Sequence, residues 1–131
     1  MKREKILLTP PMVAEALMAE FPELRDDLVY DDGLLHLQVA TLARHTEAAI
    51  ESGDLATVRR DFMFMDRMLA DADEFVDNAI HVSYLEHLFF DGEHGAAAEA
   101  LLSSRLREGW RMIHGYMAGD AGTSSVRPPA P

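Results

Sequence analysis

Residues 34–72 read LLHLQVATLARHTEAAIESGDLATVRRDFMFMDRMLADA. Leu35, Val39, Leu42, Thr46, Ala49 and Ile50 lie along one arc before Ser52-Gly53-Asp54, and Leu55, Val58, Phe62, Met65, Leu69 and Ala72 along another after it. Spacings of three and four are the period of a helix that buries one face. Arg44, Glu47 and Glu51 fall outside the first stripe, and Arg59, Arg60, Asp66 and Arg67 outside the second. Gly53 suits the left-handed residue that closes a helix, and Asp54 can accept backbone N–H bonds at the start of the next. The stretch therefore predicts two antiparallel helices joined by a tight turn.

The same signals continue in both directions. Upstream, Thr9 is a helix cap with Pro10 in the first turn, and Val13, Ala16, Leu17 and Phe21 share a face. Pro22–Tyr30 reads as one or two helical turns with Leu24 and Leu28 inward, before Asp31-Asp32-Gly33 breaks the chain. Downstream, Phe75–Gly92 (FVDNAIHVSYLEHLFFDG) reads as a further helix, capped by Asp71 or Asp73 and closed by Asp91 and Gly92. After HGAAA a last helix carries Leu102, Leu106, Trp110, Ile113 and Met117 on one face, with Arg105, Arg107 and Arg111 towards its C-terminal half.

The expected fold is all-α, about five helices in antiparallel hairpins, forming an irregular bundle or a short α-solenoid-like array. The hairpins show no aligned self-similarity. Residues 1–8 read as an N-terminal extension, 9–118 as a single helical domain, and 119–131, ending SSVRPPAP, as a disordered tail.

Composition narrows the function classes. With 48% hydrophobic and 27% charged residues in 131, the chain can bury one core without staples. The absence of cysteine removes disulfides, thiolate zinc sites and cysteine nucleophiles. After MKREK only Ile6, Leu7 and Leu8 precede two prolines, too few for a signal peptide or membrane span, so a cytoplasmic location is expected. A net charge of −11 disfavours nucleic acid and anionic lipid, and suits a basic protein partner. A homo-oligomer that buries apolar excess between copies remains open.

On a helical wheel of residues 75–92, Glu86 lands inside the apolar arc, with Ser83 and His87 near its border. A buried carboxylate must find a cation, backbone donors or a proton. Glu86 and Ser83 are therefore expected to be structural buried polar groups, with Arg59, Arg60, Arg67 and Arg105 available to pair with Glu86. The alternative is a metal-binding or catalytic bundle centred on Glu86, His87 and the Asp77/His81 pair. There is no HExxH, GxSxG, P-loop or GxGxxG, and no histidine has a glutamate three residues before it. No catalytic residue, metal ligand or cofactor is thus assigned. Tyr84 is expected to point its hydroxyl outward. Two groups are candidate partner contacts: the aspartates Asp26, Asp27, Asp31 and Asp32, and the off-stripe Phe64 and Met68. Solvated loop charge and core packing are their plain readings.

FPEL (residues 21–24), SGD (52–54) and AIHVSYLEHL (79–88) together resemble a bacterial all-helical domain family of unknown function, over about Val13–Met117. Its members resemble small immunity or accessory proteins of toxin systems, and no catalytic residue is carried over from them. SYLEHL, with Ser83 and Glu86, matches the most recognisable family segment, which implies that Glu86 belongs to the family framework, in a structural or a binding role. The resemblance and the charge together imply a non-enzymatic interaction protein of immunity type.

Overall fold

The computed structural model describes residues 6–122, with side chains through residue 115. Among them lie seven α-helices: α1 (Pro10–Glu20), α2 (Arg25–Tyr30), α3 (Leu35–Ser52), α4 (Leu55–Ala70), α5 (Glu74–Ser83), α6 (Gly95–Glu99) and α7 (Ser104–Gly122). Short 3-10 turns occupy Pro22–Leu24 and Leu85–His87. The all-helical class is the expected one. The number of helices exceeds the expected count because Pro22–Tyr30 closes a helix of its own and the segment after Gly95 divides in two.

The α3–α4 hairpin follows its local signals. Gly53 adopts φ +79°, and the N–H groups of Gly53 and Asp54 return to the Ile50 and Ala49 carbonyls. Asp54 accepts the Thr57 N–H at 3.2 Å, which caps α4. Asp73 does the same for α5 through Val76, at 2.8 Å. Helix α3 is the hub of the bundle: α1, α2, α4, α5 and α6 all pack on it, while α7 packs on α4, α5 and the Leu85–His87 turn. Val39, Leu42, Val58, Phe62, Met65, Ile80, Leu85 and Leu106 meet in the core.

Helix α4 is buried on two sides rather than one. Phe64 and Met68, candidates for an exposed patch by spacing, are 1% and 8% exposed. The cause lies far away in sequence. Phe21, just past α1, meets the Phe64 ring edge-on with centroids 5.2 Å apart, and the Arg67 guanidinium lies over that ring. A wheel drawn for α4 alone cannot include this second covering layer.

Ahead of α1, the Leu8 N–H donates to the Asp71 carbonyl at 2.7 Å and the Leu8 carbonyl accepts from Asp73 at 2.9 Å. This isolated β-bridge to Ala72 ties the extension to the α4–α5 turn. Residues 1–5 lie outside the described residues. Of the expected tail, residues 119–122 end α7 and the remainder lies outside the description. No described helix is long and apolar enough to cross a membrane.

Candidate functional site

The helix expected through residue 92 stops at Ser83. Tyr84 leaves the helical region (φ −122°, ψ −68°), one 3-10 turn follows, and residues 88–94 form an irregular connector to α6. The reason is again long-range. The Trp110 indole N–H donates to the Leu88 carbonyl at 2.6 Å, and His114 Nε2–H donates to the Leu85 carbonyl at 2.9 Å. The Leu85 carbonyl also accepts the Leu88 N–H at 3.2 Å, which closes the 3-10 turn. Phe90 then sits between Phe62 and Trp110, with centroids 6.3 and 5.3 Å away, and takes a left-handed φ of +55° that costs a non-glycine residue about 1–2 kcal/mol.

Between α3 and this connector runs a groove of about 860 Å³. Ala43, Glu47 and Ile50 line it from the helix, His87 from the 3-10 turn, and Asp91 and His94 from the connector. Glu47 is half-buried and is held by the Phe89 backbone N–H, while its Oε2 is buried without a hydrogen-bond partner among the described residues. Burial pushes its carboxyl above the usual carboxylate range, against the pull of that N–H; Asp91 reinforces the rise and His87 opposes it.

A folded-state pKa above the unfolded value means stability that is complete below the ordinary 4.5 and is lost as pH climbs through the raised value. Glu47→Gln is therefore expected to raise the melting temperature at pH 7 and to leave it unchanged near pH 4. Thermal denaturation at the two pH values checks this, and a destabilised variant at pH 7 would count against it.

A second polar centre lies inside the bundle. Asp61 on α4 is 0% exposed, and its Oδ2 accepts from His45 Nδ1 and from Thr46 Oγ1, each at 2.8 Å. The buried Tyr84 hydroxyl meets Thr46 Oγ1 at 2.7 Å. The Thr46 hydroxyl proton is shared between Asp61 and the Leu42 carbonyl, 3.0 Å away, so Tyr84 donates to Thr46. Burial raises the Asp61 pKa, opposed by the His45 and Thr46 hydrogen bonds. Tyr84, whose hydroxyl was expected to face outward, is wholly buried, and its pKa is raised well above the ordinary value by burial and then by Asp61. On the outer side, His45 Nε2 is 3.5 Å from Glu23. Glu23 in turn accepts from Arg60 at 2.8 Å, a hydrogen bond that lowers the carboxyl pKa.

Ser83 is buried and bonds His36 Nδ1 through its hydroxyl at 2.7 Å. Glu86 is half-buried and makes no hydrogen bond or ion pair among the described residues. Ending α5 at Ser83 takes Glu86 off the wheel that had placed it in the core. Three of the arginines expected for it are engaged elsewhere: Arg60 and Arg67 with Glu20, Arg60 also with Glu23, and Arg105 with Asp66. Asp77 and His81 do pair, at 3.2 Å, and His87 faces the groove. Among the described residues, no three His, Asp or Glu side chains converge to hold a metal ion. Asp26, Asp27 and Asp32 are exposed and Asp31 is half-buried.

Two carboxylates are more buried than the sequence predicts. Asp61 stands three residues after Val58 and four before Met65, inside the α4 stripe; Glu47 stands four after Ala43 and three before Ile50. For Asp61 the available signal is a carboxylate inside an apolar period; Glu47 lies outside the α3 stripe and is half-buried because the 88–94 connector covers that side of the helix.

No curated protein and no solved structure matches this chain. A family described as "Domain of unknown function (DUF7674)" matches residues 14–116, from within α1 to within α7, a span that contains the groove, the Asp61 network and the α2 aspartates. The chain belongs to that family.

Proposed function

We propose that this chain is a non-enzymatic, acidic protein-interaction module that docks a basic partner at the corner where α2 turns into α3. One observation carries the reading: Tyr30 is 89% exposed amid Asp26, Asp27, Asp31 and Asp32, with Val29, Leu34 and Leu37 exposed beside it. Hydrogen bonds from Asp31 N–H to the Asp27 carbonyl and from Leu34 N–H to the Asp31 carbonyl draw this corner tight. Carboxylates alone would be an ordinary solvated face. Four large apolar side chains exposed in the same short stretch are surface that a partner can cover.

An exposed tyrosine offers large contact area at low rotamer cost, and surrounding carboxylates speed encounter with a positive surface. The immunity-type role implied by the sequence resemblance is the special case in which the basic partner is a toxin. The test compares wild type with the double variant Tyr30→Ala/Asp31→Lys, capturing partners from host lysate at low and high salt. A basic protein held by wild type at low salt, and lost both at high salt and with the variant, is the expected result. Equal capture by the variant, or no basic protein bound by wild type, would overturn the proposal.

A further inference from the structure

We infer that His45 is a proton-operated latch on the elbow between α1 and α2: it grips Glu23 while the His45–Asp61 pair keeps an extra proton, and lets go when that proton is lost. The elbow, residues 21–24, leads from α1 through the 3-10 turn into α2. His45, on α3, stands between two carboxylates. Its Nδ1 lies 2.8 Å from Asp61 Oδ2, and its Nε2 lies 3.5 Å from Glu23 Oε2. The side chain of Asp61 is 0% exposed, that of His45 19% and that of Glu23 44%, so the ring joins the interior to the surface.

The two protonation states of the pair present opposite faces to the elbow. With the extra proton in the short Nδ1–Oδ2 contact, whether it rests on nitrogen or on oxygen, Nε2 carries a hydrogen that faces Glu23. Without it, the buried Asp61 carboxylate keeps the remaining ring hydrogen on Nδ1, and Nε2 turns a lone pair towards Glu23. Attraction becomes repulsion. Glu23 stays ionised throughout, because the Arg60 hydrogen bond lowers its carboxyl below the usual carboxylate range.

Other charged groups near the ring are Arg60, which donates to the same Glu23 oxygen at 2.8 Å, Glu20, which pairs with Arg60, and Asp54, the cap of α4. From the end of α5 the Tyr84 hydroxyl reaches the Asp61 side through Thr46. Phe21 is fully buried and meets the His45 ring edge-on, with centroids 5.7 Å apart, which anchors the elbow at its first residue. Arg60 holds Glu23 in both states, so loss of the proton removes one of two grips.

The test follows the full chain by NMR between about pH 5 and 8, the interval in which an imidazole changes charge. The His45 ring and the amides of Glu23, Leu24 and Arg25 are expected to titrate together. The Leu24 N–H donates to the Phe21 carbonyl at 2.9 Å. Its protection from exchange should fall about threefold across the interval, once the intrinsic pH dependence of exchange is divided out. Glu23→Gln should abolish the common transition, and Arg60→Gln should enlarge the loss of protection because His45 is then the remaining grip. His36→Gln, elsewhere on α3, should change neither. Melting curves verify that the variants are folded. A His45 ring that does not titrate in this interval, elbow amides that move without it, or a common transition that survives Glu23→Gln would each overturn the inference. The experiment contains no partner, so its outcome is independent of the docking proposed for the α2 corner.

Discussion

Asp61→Ala is expected to lower the unfolding free energy by about 3 kcal/mol and the melting temperature by about 10 °C. The carboxylate is the terminal acceptor for two branches, His45 directly and Tyr84 through Thr46. Alanine opens a cavity and removes the acceptor of the His45 N–H, while the Thr46 hydroxyl keeps the Leu42 carbonyl at 3.0 Å, so the loss combines the cavity with a hydrogen bond to a carboxylate. Asp61→Asn keeps the volume and one acceptor oxygen, and should stay within about 1 kcal/mol of the parent at neutral pH. The two variants separate loss of the acceptor from loss of the charge.

Acid titration gives an independent check. With its folded pKa raised by burial, Asp61 contributes stability that is complete below its ordinary 3.8 and declines as pH rises through the folded value. Stability of Asp61→Asn relative to the parent should therefore improve from pH 4 to pH 7. Chemical denaturation of both proteins across that interval measures it. An alanine variant as stable as the parent would remove the network from any account of this core.

Gly95→Ala is the second large effect, with an expected loss of about 3 kcal/mol. A Cβ at residue 95 would lie 1.9 Å from the Phe90 carbonyl oxygen, a backbone atom on a connector already pinned by Trp110. Neither side can yield without breaking the Phe62–Phe90–Trp110 stack. Gly92→Ala makes a useful contrast. Its φ is +84° but nothing lies within 4 Å of the added Cβ, so only the backbone preference is lost, about 1 kcal/mol. Thermal unfolding of the pair should rank Gly95→Ala clearly below Gly92→Ala; the reverse order would contradict the connector geometry.

Where the fold could be read from the sequence, the cause was local. The α3–α4 hairpin was legible because its stripes, its left-handed glycine and its capping aspartate lie within a few residues of the atoms they act on. Reading failed where the deciding partner was remote. The turn after α5 is held by Trp110 and His114, and the Phe64 ring is covered by Phe21. The candidate sites divide in the same way. The aspartates around Tyr30 were visible as a run, whereas the pairing of His45 with Asp61 requires two helices to meet. Glu86 was misplaced for one reason: a single wheel was extended past the residue at which the helix stops.

Trp110 is the chain's single tryptophan, and its ring lies 4.8 Å from His114 and 5.3 Å from Phe90. Since its indole N–H is bonded to Leu88 in the connector, the protein carries an intrinsic optical reporter of that connector. Emission excited selectively at the indole follows the polarity around that ring. Rearrangement of the connector, as by Gly95→Ala, is therefore readable as a change in fluorescence without attaching a dye.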